Sequence, residues 1–380
     1  MMDNDFIYLD YNATTPVDSR VLDAILPYFN QFYANSGSSH LFGLTVKEAV
    51  ENAAEEVAEL IGADSKEIIF TSGATESVNL ALKGFKTDTN KNHIITVTTE
   101  HKAVLDTCSQ LERDGFWVDY LSVDHLGNIN LSELESLITE RTLMVCIMLV
   151  NNETGVIHPI KEIGEIIHRT DGYFFCDATQ AIGKIPVDVK DLNIDLMAFS
   201  AHKFYGPKGV GALYISSAVK NKMQSQIQGG GQQNNLRSGT LNVPGIIGLG
   251  KAAEIALMEM EKDAQKIRML RAHLEYELLK IPETFINGDH SARIFNTTNI
   301  CFEGINSEEL ILSLGNICIS SGSACNAVTT KPSHVLQAMG MSDANALSSI
   351  RFSIGKYTTL SEIETAVEKI EKTLLLLRNR

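Results

Sequence analysis

Short runs of apolar, β-prone residues that do not alternate with polar ones recur through the first two thirds of the 380-residue chain. They are Ile68-Ile69-Phe70, His93 to Val97, Leu143 to Val150, Tyr173 to Cys176, Leu196 to Ser200 and Gly209 to Ile215. Helical patterns alternate with them. A strand with no polar face must be covered on both sides, and intervening helices supply that cover, so the pattern predicts a mainly parallel α/β sheet. Ligands of such sheets bind beyond the carboxyl ends of the strands. The notable residues of this chain stand at those ends.

From Val243 to about Ile281 helical periodicity runs on with few breakers, the kind of element that leaves one domain and enters another. Beyond it, Thr298 to Phe302, a helix from about Ser307, Ile317 to Ser320 and a closing helix from Ser361 to Arg378 read as a smaller α+β domain. At roughly 150 residues per domain the chain accommodates about two to three folding units around a cleft.

Composition narrows the function classes. A hydrophobic fraction of 44%, a charged fraction of 21% and a mean hydropathy of -0.01 describe a globular chain. Forty-seven acidic against 32 basic residues leave a net charge of -15, which repels phosphate backbones and anionic membranes, so no direct nucleic-acid or membrane partner is expected. The segment Met1 to Phe6 lacks the basic and apolar regions of a secretory signal, and no window approaches 18 unbroken apolar residues, so a cytoplasmic location is expected.

Six cysteines, at 108, 146, 176, 301, 318 and 325, are too sparse for a disulfide scaffold, and none forms a C-x-x-C pair. Four sit in apolar runs such as Leu143 to Met148, where a buried reduced thiol is expected. Cys325 lies instead in the small, polar stretch Ile319 to Ser333. Such a setting suits a nucleophile that enters a cleft and leaves with its product, although an ordinary loop cysteine has the same surroundings.

Four strand ends carry groups with possible chemistry. Phe70-Thr71-Ser72-Gly73-Ala74-Thr75-Glu76-Ser77 takes a strand through a small glycine turn into a helix, which makes either a phosphate seat or a plain N-cap by Ser72 or Thr75. Ser200-Ala201-His202-Lys203 precedes a tight Gly/Pro loop; a lysine held there is a surface charge or, if desolvated, a Schiff-base former. Asp177 ends the strand from Tyr173 and either caps the next helix or pairs with a pyridinium nitrogen. His101, after the strand His93 to Val97, caps a helix or stacks on a cofactor ring and passes protons. A phosphate seat, an acid and a lysine at successive strand ends form the set that pyridoxal 5'-phosphate requires.

Together, Leu9 to Pro16, Thr71 to Ser77, Glu100-His101-Lys102, Asn151 to Gly155, Asp177 to Gln180, Ser200 to Lys203, Arg237 to Thr240 and Ser320 to Cys325 resemble the cysteine desulfurases of the NifS/IscS type, in that family's order and across nearly the whole chain. The resemblance implies a fold-type I pyridoxal phosphate enzyme with a mainly parallel seven-stranded sheet in a large domain, 14–258. A smaller α+β domain is assembled from 1–13 and 259–380. It implies an enzyme that takes sulfur from L-cysteine, releases L-alanine and leaves a persulfide on Cys325.

By matching motif, Lys203 is the Schiff-base lysine, His101 the ring-stacking acid–base group, Asp177 the pyridinium partner and Gln180 the donor to the ring hydroxyl. Ala74, Thr75, Ser200 and His202 hold the phosphate, and Thr240 reaches it from the second subunit of a homodimer with shared sites. Arg351 binds the substrate carboxylate, where a planar guanidinium gives a two-pronged fit, with Asn152 beside it and Asn35 completing the pocket. The base that activates the Cys325 thiol is assigned to His101.

Seven residues separate Cys325 from Ser333-His334-Val335-Leu336. This resembles the long-loop group of the family and implies delivery to a sulfur acceptor, such as an iron–sulfur scaffold or a thiolation enzyme, rather than a selenocysteine lyase. No resident metal is expected; Cys325 is the group that would touch an iron–sulfur cluster in transit. Gln233 and Asn234 stand where relatives commonly carry Glu and Arg, and Ser36 where a proline is usual. A class-relative aminotransferase would need Lys203 and Asp177 but not Cys325, and a scaffold that had lost the chemistry would need neither.

Overall fold

The computed structural model describes residues 6–85, 91–321 and 331–379. Their strands, in chain order, are β1 (Ile7–Tyr8), β2 (Ile68–Thr71), β3 (His93–Val97), β4 (Trp117–Leu121), β5 (Thr142–Cys146), β6 (Tyr173–Asp177), β7 (Leu196–Ser200), β8 (Gly211–Ile215), β9 (Thr284–Asn287), β10 (Thr297–Phe302), β11 (Ile317–Cys318) and β12 (Ser349–Ser353). Seven of them form the large sheet in the order β2-β8-β7-β6-β5-β3-β4. The apolar runs explain why: every residue of β2, β3, β5, β7 and β8 is buried, as strands covered by helices on both faces must be.

Pairing from β7 through β4 is parallel, whereas β8 runs antiparallel to both β7 and β2. Only β8 is therefore reversed. The carboxyl ends of β2, β3, β5, β6 and β7 share one edge with the start of β8, which gathers the strand-end turns on one side of the sheet. The run expected to reach Val150 as a strand ends at Cys146. Its continuation still donates from Ile147 N to the Phe175 carbonyl (3.1 Å) and from Leu149 N to that of Asp177 (3.0 Å), which fastens the loop beside the end of β6.

The 36-residue helix Val243–Leu278 packs along the helix Leu41–Ile61 and then continues to the second unit. There β10 lies between β9 and β12, all antiparallel, and the helix Leu360–Arg378 closes the chain with a Thr359/Glu362 capping box. The amino-terminal segment belongs spatially to this part, because β1 pairs in parallel with β11 and Asp10 bridges Ser353. Among the described residues no helix is long and apolar enough to cross a membrane.

Candidate active site

The turn between β2 and the helix Ala74–Lys83 leaves that helix without a side-chain cap, since its N-cap is Gly73. Ser72 and Thr75 therefore do not act as the cap. Backbone N–H groups at an uncapped helix start, with the positive end of the helix dipole, make an anion seat. Ser200 Oγ, at the end of β7, accepts from Ala74 N at 2.7 Å and ties the turn to the next strand end. The close approach requires glycine: a Cβ on Gly211 would lie 2.5 Å from the Phe199 carbonyl oxygen and 2.7 Å from Gly73 Cα.

Lys203 ends a one-turn 3₁₀ helix directly after β7. Its Nζ donates to the carbonyls of Asn12 (2.6 Å) and Ala13 (2.9 Å), so a segment near the amino terminus orients the lysine. Asp177, buried at the end of β6, accepts from Thr179 N at 2.9 Å. His101 N-caps the helix Lys102–Arg113: its Nδ1 accepts from Ala103 N at 3.1 Å. That bond leaves the proton of the neutral ring on Nε2. Burial lowers the His101 pKa; Asp177 acts the other way, and Lys203 adds to the lowering.

Burial also pushes His202 down to about 4, with Lys203, Lys208 and Lys184 adding their charges. Its Nδ1 lies 3.1 Å from Thr14 Oγ1.

Arg351, on β12, is 3% exposed, and donates from its terminal nitrogens to the Asn152 carbonyl (3.0 Å) and to Asp10 Oδ1 (2.7 Å). Its Nε and Asn152 Oδ1 are buried without a partner in the protein, as expected where a ligand completes the polar network. Asn152 is held by its neighbour: Asn151 Oδ1 accepts from Glu153 N and Thr154 N, and Asn151 Nδ2 donates to the Thr99 carbonyl.

Ala74, Thr75, His101, Asn152, Asp177, Gln180, Ser200, His202, Lys203 and Arg351 all line one cavity of about 670 Å³. Asn35 and Thr240 do not. Both are exposed, and Asn35 spends its side-chain oxygen on Gly37 N within its own turn. Cys325 lies outside the described residues.

Sequence reasoning assigned no role to several residues that the structure places in or beside the cavity. Asp10 pairs with Arg351, and Asn12 accepts from Lys203 through its carbonyl while its side chain bonds Thr297 and Asn296. Glu100 is buried, with Oε1 accepting from Met148 N and Oε2 unpartnered. Burial, then the charge of Asp177, pushes its carboxyl well above the usual range, which favours the neutral acid. His334 bonds the Glu100 carbonyl at 3.0 Å. Glu100 and Asp10 stand within the family-like motifs; their partners do not stand beside them in sequence. The cysteines of apolar runs behave as core: Cys108, Cys146, Cys176 and Cys301 are buried, and burial raises the thiols of Cys146, Cys176 and Cys301.

The donor set fits pyridoxal phosphate. An uncapped helix start flanked by Ser200 can take the phosphate, a buried acid stands at the neighbouring strand end, and a lysine stands between them on the shared edge.

Comparison with known proteins agrees. The family model described as aminotransferase class-V matches residues 7–365. A cysteine desulfurase IscS of Rickettsia massiliae (strain Mtu5) is 48% identical over 368 residues, covering 96% of this chain and 90% of that protein. One from Anaeromyxobacter sp. (strain Fw109-5) is 48% identical over 374 residues, covering 96% and 93%. Among solved structures, a NifS-like protein superposes with a TM-score of 0.92 at 39% identity, covering 98% of this chain and all of that one. SspA, solved in complex with cysteine, does so at 0.80 and 38% identity, covering 93% and 99%. The chain belongs to the class-V aminotransferase family, among its pyridoxal phosphate-dependent cysteine desulfurases.

Proposed function

We propose that this desulfurase binds L-cysteine with its carboxylate on Arg351 and its amine toward Lys203, and moves the sulfur onto Cys325. The observation that carries the reading is the convergence of Lys203, Asp177, His101 and Arg351 on one cavity at the shared edge of the sheet. The structure of SspA with cysteine supports the choice of ligand.

Pyridoxal phosphate, when bound, supplies an aldehyde for the substrate amine and a ring that takes up electrons. Asp177 keeps a proton on the ring nitrogen, and Gln180 donates to the ring hydroxyl. Lys203, released from the carbonyls of Asn12 and Ala13, carries the α-proton. His101 would stack on the ring and serve proton transfers there, and it would take the proton of the Cys325 thiol on Nδ1 once that nitrogen gives up the bond from Ala103 N. The Cys325 thiolate attacks the substrate sulfur: an S–S bond forms as the S–Cβ bond breaks, and the carbon fragment takes up a proton to leave as L-alanine.

The same reading makes the protein a cytoplasmic homodimer in which Thr240 of one subunit reaches the phosphate of the other. Asn35 completes the substrate pocket on dimerisation. The exposed side chains Leu22, Leu26, Phe29, Tyr33 and Leu41 give apolar surface for such a contact. The large domain is taken as 14–258 and the small one as 1–13 with 259–380, which the pairing of β1 with β11 supports. The persulfide is passed to an acceptor protein, an iron–sulfur scaffold or a thiolation enzyme.

The test is to incubate the yellow holoenzyme with L-cysteine and reductant and to measure sulfide and alanine together. Equimolar products that disappear in Cys325→Ser are expected. Turnover that survives in Cys325→Ser and consumes a keto acid would assign the protein to the aminotransferases instead.

A further inference from the structure

The turn after Asp177 brings a second lysine to the site. Lys184 Nζ donates to Gln180 Oε1 at 2.6 Å. The Nε2 of the same amide donates at 3.0 Å to the Asn12 carbonyl, which also accepts from Lys203 Nζ. Gly183 makes the turn possible: its φ is +72°, and a Cβ there would lie 2.6 Å from that of Phe204, the residue after Lys203.

A glutamine amide has an accepting end and a donating end, and the two orientations are nearly isosteric. A lysine ammonium carries donors only, so in that form it faces only the oxygen; a carbonyl can face only the NH₂ group. Lys184 and the Asn12 carbonyl therefore select the same orientation. Nε2 keeps a second hydrogen, and Gln180 lines the cavity. The arrangement is costly: burial, with the charges of Lys203 and Arg351 added, pushes the Lys184 ammonium down to about 7. Nothing assigned to the reaction otherwise calls for a third cation at this place.

We propose that Lys184 is a positioning residue, which holds the Gln180 amide with its NH₂ toward the cavity and polarises it as the hydrogen-bond donor to the ring hydroxyl of pyridoxal phosphate. Hydrogen bonds in series strengthen one another, so a donor whose oxygen is already engaged by a cation donates more strongly. The inference rests on the proposed role of Gln180 as donor to that hydroxyl.

The test uses purified holoenzyme of the parent, Lys184→Met, Gln180→Ala and the double variant. Two quantities are read: the pH midpoint of the visible absorption band of the bound cofactor, and the rate of cofactor release. Lys184→Met is expected to move the midpoint by at least about half a pH unit and to speed release about threefold to tenfold, the reach of one hydrogen bond. Lys184→Arg restores most of both, and Lys184→Met adds little once Gln180 is gone. Should Lys184→Met fail to fold, Lys184→Gln, a neutral donor, is expected to give shifts of the same sign and smaller size.

A Lys184 variant that only melts earlier, with band and release unchanged, overturns the proposal. Additive effects in the double variant do the same. If Gln180→Ala shifts the band and Lys184→Met does not, this inference alone falls. If Gln180→Ala is silent, the role of Gln180 falls with it.

Discussion

Arg351 shows how one side chain can be committed structurally and still be available to a ligand. Asp10 and the Asn152 carbonyl take its terminal nitrogens, while Nε and Asn152 Oδ1 wait, buried, for partners. A guanidinium can keep that scaffold and still meet a carboxylate, because its donors point in fixed and different directions. Lysine offers one point charge. Arg351→Lys is therefore expected to raise KM for L-cysteine about tenfold to a hundredfold, with kcat changed far less, in steady-state assays of alanine release. A fall in kcat at constant KM would assign Arg351 to the transition state instead of to binding. Lys203, Asp177 and His101 were legible in the sequence because each stands at or after the end of an apolar strand, the edge where ligands of such sheets bind, and the structure brings the three to one cavity. Asp10 was not, since its partner stands 341 residues away. Nor was Lys184, which in sequence is one more lysine, set between Ala181-Ile182-Gly183 and Ile185-Pro186.

At the scale of elements, the proposed phosphate seat depends on how closely β8 approaches the Gly73 turn. A methyl group on Gly211 would collide with backbone on both sides, the Phe199 carbonyl and Gly73 Cα, and backbone yields less readily than a flexible side chain. Gly211→Ala is expected to lower stability by about 1–3 kcal/mol, as overpacking does. It should also speed cofactor release, because the displaced turn carries the helix start. Thermal melts of the apoprotein and cofactor release from the holoenzyme separate the two effects, and a variant that is destabilised yet keeps its cofactor as well as the parent would detach β8 from the seat. The runs that revealed β2, β3, β5, β6, β7 and β8 were buried on both faces. β4 escaped notice because it is an edge strand, with Trp117 and Tyr120 exposed and Asp119 half-buried. β12 escaped for the opposite reason. Its Ser349, Arg351 and Ser353 look like a solvent face, yet all are buried: Ser349 bonds Asn287 and the Asn345 carbonyl, Arg351 bonds Asp10, and Ser353 accepts from Asn12 N.

For the molecule as a whole, acid should act through histidines that folding keeps neutral. Burial lowers the pKa of His93, His101, His158 and His202, whereas Asp195 raises that of His168. A histidine whose folded pKa lies below its unfolded value of 6.5 favours the folded state above pH 6.5, and that contribution is lost as pH falls toward the folded pKa, because the unfolded chain binds the proton first. His168 has the opposite sign: its contribution is complete below pH 6.5 and is lost as pH rises. His101 and His202 line the cavity, so cofactor binding would mix with their titration. His158 isolates the effect. It is 3% exposed, both ring nitrogens are buried without partners, and burial alone brings it down to about 4. Between pH 7 and pH 5 it should remove about 2 kcal/mol of stability. His158→Leu takes away the titration together with two unpaired buried atoms, so urea unfolding should show equal or greater stability at pH 7 and a loss at pH 5 smaller by about that amount. A variant that loses as much on acidification as the parent would mean that His158 finds a partner for its proton in the folded state, and the acid sensitivity of this fold would then lie with His93 and the two histidines of the cavity.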